Sequence, residues 1–186
     1  MKWNDHSKIV GSHAFLGASK HGWLNDDPEK LKNRYVRFLA VQRGTELHDL
    51  AANLIKLGVE LPKTNKTLDN YVNDAIGFRM RPEQPLYYSE NCFGTADAIA
   101  WDEKTKFLRI HDLKTGEVPA HMEQLYIYAA LFCLEYHQKP GTMGFELRIY
   151  QNNEIVASNP TAEHILPIMD KIIQFDKVLN NIKGDL

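Results

Sequence analysis

Asp112 and Lys114 stand two residues apart at the end of the apolar run "FLRIHDLKTG", where neither charge suits an interior position. Side chains two apart on a strand share a face, so an acid and a base project together there while Leu113 turns to the opposite, core side. Upstream, "GTADAIAW" carries Asp97 as a lone carboxylate among alanines and an isoleucine, costly to bury unless paired or bound to a cation. If the two runs pair across "DEKTK", Asp97 approaches Asp112, and two close carboxylates repel unless a hard divalent cation joins them. Mg²⁺ or Mn²⁺ held there polarises a phosphoryl oxygen and activates water, with Lys114 orienting that water or stabilising developing charge. This is the chemistry of phosphodiester hydrolysis.

Such a site needs rigid elements behind it. From Pro28 to Leu57 apolar residues recur at threes and fours, a helical period that Gly44 interrupts, so two helices or one long bent one are expected. Asp27 and Pro28 suit the helix start and Gly58 its stop. A second helix is expected over Lys66 to Met80, with Thr67 as a cap. After Pro82 the texture turns β-branched and aromatic, predicting strands at Leu86–Tyr88, Gly94–Trp101 and Phe107–Asp112. "HMEQLYIYAALFCLEYH" reads as a helix of about four turns. "MGFELRIYQNNEIVAS" reads as a strand pair turning at "QNN", and the chain closes on a helix with a kink expected at Pro167. This order predicts an α/β or α+β domain, a central mixed β-sheet flanked by helices.

The 186 residues, 44% hydrophobic, suffice for one domain with its own core: an N-terminal helical segment (1–43), a motif-bearing core (44–128) and C-terminal strands and helix (129–186). A net charge of -2 excludes a protein that coats nucleic acid through overall basicity, so any polyanion contact must come from a local patch. Cys92 and Cys133 lack CxxC spacing, which argues against a structural zinc or a cysteine-held iron–sulfur cluster. The first residues lack a signal-peptide core, and no stretch reaches the roughly 18 apolar residues of a membrane span, so a soluble cytoplasmic protein with no membrane partner is expected.

Taken together, Asp97 followed by Asp112-Leu113-Lys114 at the end of the next strand resembles the PD-(D/E)XK nuclease signature. Gln124 and Tyr128 in "HMEQLYIYA" have the Q-x-x-x-Y spacing of its RecB-like branch. Gly44 and His48 in "RGTELHDL" have that branch's G-x-x-x-H spacing, "DLKTG" is close to its D-Y-K-T-G, and "GTAD" to its G-x-x-D. Each motif alone is weak; their order on elements of the expected type is much stronger. The resemblance covers roughly residues 44 to 128. The opening "SHAFLGASKHGWLNDD", through His13, Leu16, Ser19, Trp23 and Leu24, is also similar to the N-terminal segment of small phage-encoded nucleases of the branch. The chain departs from the iron–sulfur members in having no four-cysteine set.

The resemblance implies a restriction-endonuclease-like core and a Mg²⁺- or Mn²⁺-dependent deoxyribonuclease, an exonuclease in phage or prophage DNA recombination or processing, in a protein of phage or bacterial origin. Asp97, Asp112, His48 and the backbone carbonyl of Leu113 would hold the metal. Lys114 would orient the attacking water, and Gln124 and Tyr128 would position water or phosphate. Glu90, before the G-x-x-D strand, is an additional candidate acid. Candidate DNA contacts are Ser19, Lys20, Arg37, Arg43, Arg79, Arg81 and Thr115, with Lys30, Lys32 and Arg34 beside them; Trp23 and Trp101 read as packing residues. DNA is the expected partner. A recombination or single-strand-binding protein, and a homo-oligomer like the rings of lambda-type exonucleases, are further partners the resemblance admits. The alternatives are a catalytically silent nuclease-fold binding module and a structure-specific endonuclease.

Overall fold

The computed structural model describes residues 5, 7–9, 14–116 and 118–184; His13 of the opening motif lies outside them. The chain divides into two compact units, Met1–Thr45 and Glu46–Leu186.

In the first unit, 3₁₀ turns at Ser7–Ile9 and Ala18–Asn25 precede helix α1, Pro28–Leu57, which runs on into the second unit. The Asp27 carboxylate accepts the Lys30 N–H at 2.8 Å, the cap the sequence suggests. Phe15 packs against Tyr35 and Phe38, with centroids 4.9 and 5.2 Å away. Asp26 takes Arg34 in a two-pronged pair, with Nη2 at 2.9 Å, so Arg34 is engaged within the unit. Ser19, Lys20, Arg37 and Arg43 are exposed.

The second unit is built on a five-stranded mixed sheet in the order β1 (Arg81–Ser89), β2 (Cys92–Asp102), β3 (Phe107–Leu113), β4 (Gly144–Gln151), β5 (Glu154–Ser158). All neighbours are antiparallel except β3 and β4, which run parallel and are joined through helix α3, Glu123–Glu135. That crossover makes β3 the central strand, which explains why Ile110 to Leu113 are all buried. On one face, α3 and α4 (Ala162–Gly184) cover Leu86, Leu108, Ile110, Leu147 and Ile149. On the other, Ala51 and Ile55 of α1 and Tyr71, Val72 and Ala75 of α2 (Thr67–Gly77) cover Ala98, Leu113 and Tyr150. The expected mixed sheet flanked by helices is present.

The boundaries differ from the sequence expectation in instructive places. Helix α1 continues through Gly44, because one helical glycine costs only about 1 kcal/mol. It stops at Gly58, whose φ is +66°. Thr67 does not cap α2 through its side chain; it is the first helical residue and exchanges hydrogen bonds with Asn153 in the β4–β5 turn. Helix α2 ends at Gly77, short of Met80, with the Arg79 N–H on the Ile76 carbonyl and the Met80 N–H on the Ala75 carbonyl. That ending sets Arg79 at φ +54°, where a non-glycine residue costs about 1–2 kcal/mol. Strand β1 begins at Arg81 rather than Leu86, since Pro82 and Pro85 are tolerated on an edge strand. Asn152 and Asn153 turn between β4 and β5 with φ of +52° and +62°, as the "QNN" reading requires. Pro167 lies within α4, which the structure assigns as one continuous helix. Cys92 and Cys133 are free thiols.

Candidate active site

The central strand carries Asp112, only 1% exposed, at its C-terminal end. Burying a carboxylate there costs several kcal/mol unless it is compensated. Its companion is Lys114, held in place because its own N–H extends the parallel ladder onto the Tyr150 carbonyl at 2.9 Å. Lys114 Nζ donates to Asp112 Oδ1 at 3.1 Å and to Gln124 Oε1 at 2.7 Å, and Gln124 Nε2 donates to the Tyr128 hydroxyl at 3.1 Å. The i,i+4 spacing on α3 stacks Gln124 and Tyr128 one turn apart, so an unbroken polar chain runs Asp112, Lys114, Gln124, Tyr128. Tyr128 lies against Gly94, the glycine of "GTAD".

Burial pushes the Asp112 carboxyl above its usual range, and the Lys114 ammonium opposes that shift. Nζ is also 2.9 Å from Oδ2, so the one ammonium is shared between both carboxylate oxygens.

One step beyond the last paired residues of β2 and β3, Ala98 and His111, lie Asp97 and Asp112. Asp97 Oδ2 accepts the Leu113 N–H at 2.8 Å and lies 3.4 Å from His48 Nδ1. The Asp97 carboxyl is pushed up to about 6, first by burial and then by the charge of Asp112, against the opposing pull of His48 and the Leu113 N–H. Leu113 has its side chain in the core, 2% exposed.

The residue that sequence reasoning missed is Glu83. Its carboxylate joins His48 and Asp97 in a group whose ligand atoms lie within 4.8 Å of one another. Glu83 falls between Pro82, paired with Ala98, and Gln84, paired with Ala96, and so stands opposite Asp97. Its φ of +50° interrupts the regular strand there. A signal existed in the acid of "RPEQP" on the strand hairpinned to Asp97, but its register depends on an irregularity between Tyr87 and Ser89. Continuing the pairing Ser89 with Cys92 evenly would have set Gln84, not Glu83, against Asp97.

Thus the structure gathers His48, Asp97 and Glu83, and beside them Asp112, Lys114, Gln124 and Tyr128. Glu90 is not in this group: it is exposed in the β1–β2 turn, where it accepts the Tyr87 hydroxyl at 3.1 Å. Thr115 is exposed in the loop directly after Lys114, and Arg79 and Arg81 are exposed where the chain enters β1. His48, Glu83 and Asp97, with Asp112 beside them, make a mostly carboxylate donor set that fits a small divalent cation with additional water or phosphate oxygen ligands. Among the described residues no helix is long and apolar enough to cross a membrane. No protein-family model matches the chain, and no curated protein matches it.

Proposed function

We propose that the chain is a metal-dependent nuclease that hydrolyses DNA phosphodiester bonds, acting as an exonuclease. The observation that carries this reading is the adjacency of the His48, Glu83 and Asp97 group to the buried Asp112 and its half-buried partner Lys114, which is tied to Gln124. A purely structural ion pair at a strand end has no need of a second carboxylate, a third across the hairpin and an imidazole beside it. In this reading His48, Glu83, Asp97 and Asp112 hold Mg²⁺ or Mn²⁺, whose role is Lewis-acid polarisation of a phosphoryl oxygen.

The protein's own groups do the rest. Asp112 holds the Lys114 ammonium on one side and Gln124 Oε1 holds it on the other. An ammonium fixed this way orients a water for in-line attack and stabilises negative charge gathering on the phosphorus oxygens. Gln124 in turn is fixed by Tyr128, so the orientation of the lysine is transmitted from α3. The rigid central strand keeps the acid and the base from drifting apart as charge develops.

The test is cleavage of end-labelled linear DNA, single- and double-stranded, beside closed circles, with Mg²⁺, Mn²⁺ or EDTA and with Lys114→Ala as control. Metal-dependent loss of linear DNA that spares circles is expected. Absence of cleavage on every substrate, with Mn²⁺ still binding, would overturn the reading in favour of a binding module.

A further inference from the structure

Apart from the acidic group, a cleft of about 840 Å³ opens at one corner of the sheet. It exists because β1 begins its pairing only at Arg81 with Ile99, so Ala100 to Asp102 of β2 extend past it without a β1 partner. Trp101 and Tyr136 supply its open aromatic walls, and Trp101 is backed by the buried Phe132, with centroids 5.2 Å apart, while Phe78 and Phe107 line the side that Arg109 covers.

The charges in the cleft divide into engaged and free, the free ones among the described residues being Arg79, Arg81 and Lys104 with one carboxylate, Glu103, on the turn. Arg109 donates to Glu146 at 3.1 Å and lies over Phe78 and Phe107, 4.5 and 4.6 Å from their centroids. Asp102 accepts the N–H groups of Lys104 and Thr105 at 2.9 and 3.2 Å and so closes its own turn. Arg79 and Arg81 have no ion-pair partner among the described residues. Arg79 moreover keeps its side chain at a left-handed position, φ +54°, that glycine would occupy without strain.

The cleft and the acidic group lie on the same two strands, β1 and β2. Arg81 is two residues from Glu83, and Ile99 and Trp101 are two and four from Asp97. At about 3.4 Å per strand residue this is roughly 7–14 Å, the length of about two to four stacked bases at 3.4 Å each.

We propose that this cleft is a nucleotide subsite: it takes an unpaired base of the substrate strand against its aromatic walls while Arg79 and Arg81 hold the adjoining phosphate. Free guanidinium groups answer phosphate, and aromatic faces answer a base of any identity. A base in a duplex is not available to such walls, so the substrate class is DNA with a single-stranded end. The inference rests on the nuclease reading for the direction of the strand, but binding at the cleft is measured without cleavage.

Replacing Trp3 and Trp23 by Phe leaves Trp101 as the sole indole of three. A short oligothymidine, a blunt duplex, inorganic phosphate and an acidic peptide are then titrated in EDTA. Oligothymidine is expected to quench Trp101; the duplex and phosphate are not. Arg79→Gly with Arg81→Gln, which keeps the left-handed turn, is expected to weaken oligothymidine binding by about tenfold or more, the scale of a lost phosphate or stacking contact. Unchanged Trp101 emission with unchanged affinity in the variant overturns the subsite, as does quenching by the peptide and not by the oligonucleotide. Cleavage with Mn²⁺ is scored separately. Cleavage without cleft binding would sink the subsite alone, whereas quenching without cleavage would sink the nuclease reading and leave a nucleic-acid site.

Discussion

A Cβ atom added at Gly94 would lie 2.9 Å from Cε1 of Tyr128, closer than real Cβ contacts allow. The glycine of "GTAD" and the tyrosine of the α3 motif are therefore two halves of one contact, and Tyr128 is also the residue that steadies Gln124. Gly94→Ala should displace the ring, cost about 1–3 kcal/mol of stability and lower cleavage. Trimming the ring by Tyr128→Ala in the Gly94→Ala background should return part of that stability without returning activity. Urea denaturation of the two single variants and the double variant checks this, and simple additivity would mean that the two residues do not share the contact.

Glu83 and Glu90 separate two readings of the acidic residues on the first hairpin. Glu83→Gln should weaken Mn²⁺ binding by about 10–100-fold, since it removes a donor from the His48 and Asp97 group. Glu90→Gln should leave Mn²⁺ affinity unchanged, because Glu90 accepts from Tyr87 at the turn. Calorimetric titration decides between them, and equal losses in both variants would count against the assembled group.

Lys114 supports both structure and chemistry. Lys114→Met leaves Asp112, 1% exposed, without its ammonium. Loss of about 2 kcal/mol is expected at neutral pH, shrinking in acid as Asp112 takes up a proton. Cleavage should fall by at least about a hundredfold. Denaturation curves at two pH values read the first effect and the DNA assay the second; a stability loss independent of pH would show that the Asp112 charge is not what Lys114 balances.

Two buried groups impose opposite pH dependences on stability. The Asp97 carboxyl stands at about 6, pushed up by burial and then by Asp112, above its unfolded value near 3.9. The native state therefore holds the extra proton, and this contribution falls as pH rises from about 4 to about 6. His111 is 0% exposed on the α2 side of β3, where Tyr150 Oη approaches its Nδ1 at 3.2 Å. Burial, and then the charge of Arg148, lowers its imidazole to about 3 from an unfolded value near 6.5. Here the unfolded state binds the proton, and stability is lost as pH falls from about 6.5 toward 3. Asp97→Asn removes the first dependence and keeps the second, so its stability should climb more steeply with pH between about 4 and 6 than the parent's. A series of urea midpoints measures this, and identical slopes would mean that Asp97 titrates like a surface carboxylate.

Local chemistry made much of this protein legible from its sequence. The period of two placed Asp112 and Lys114 on one face because a strand allows nothing else, and the i,i+4 spacing placed Gln124 above Tyr128 for the same kind of reason. "DEKTK" announced its turn through an unbroken polar run, and "QNN" through asparagines, which tolerate the left-handed backbone that Asn152 and Asn153 adopt. Tertiary structure decided what depends on register and on distant packing. Glu83 rather than Gln84 faces Asp97 because the β1–β2 pairing shifts between Tyr87 and Ser89, and a shift of one residue leaves no mark on the pattern of apolar and polar side chains along a half-exposed edge strand. The raised Asp97 carboxyl, the burial of Asp112 beneath Lys114 and the notch beyond Arg81 likewise arise from where strands begin and what covers them, quantities set by the packed sheet and not by any one segment.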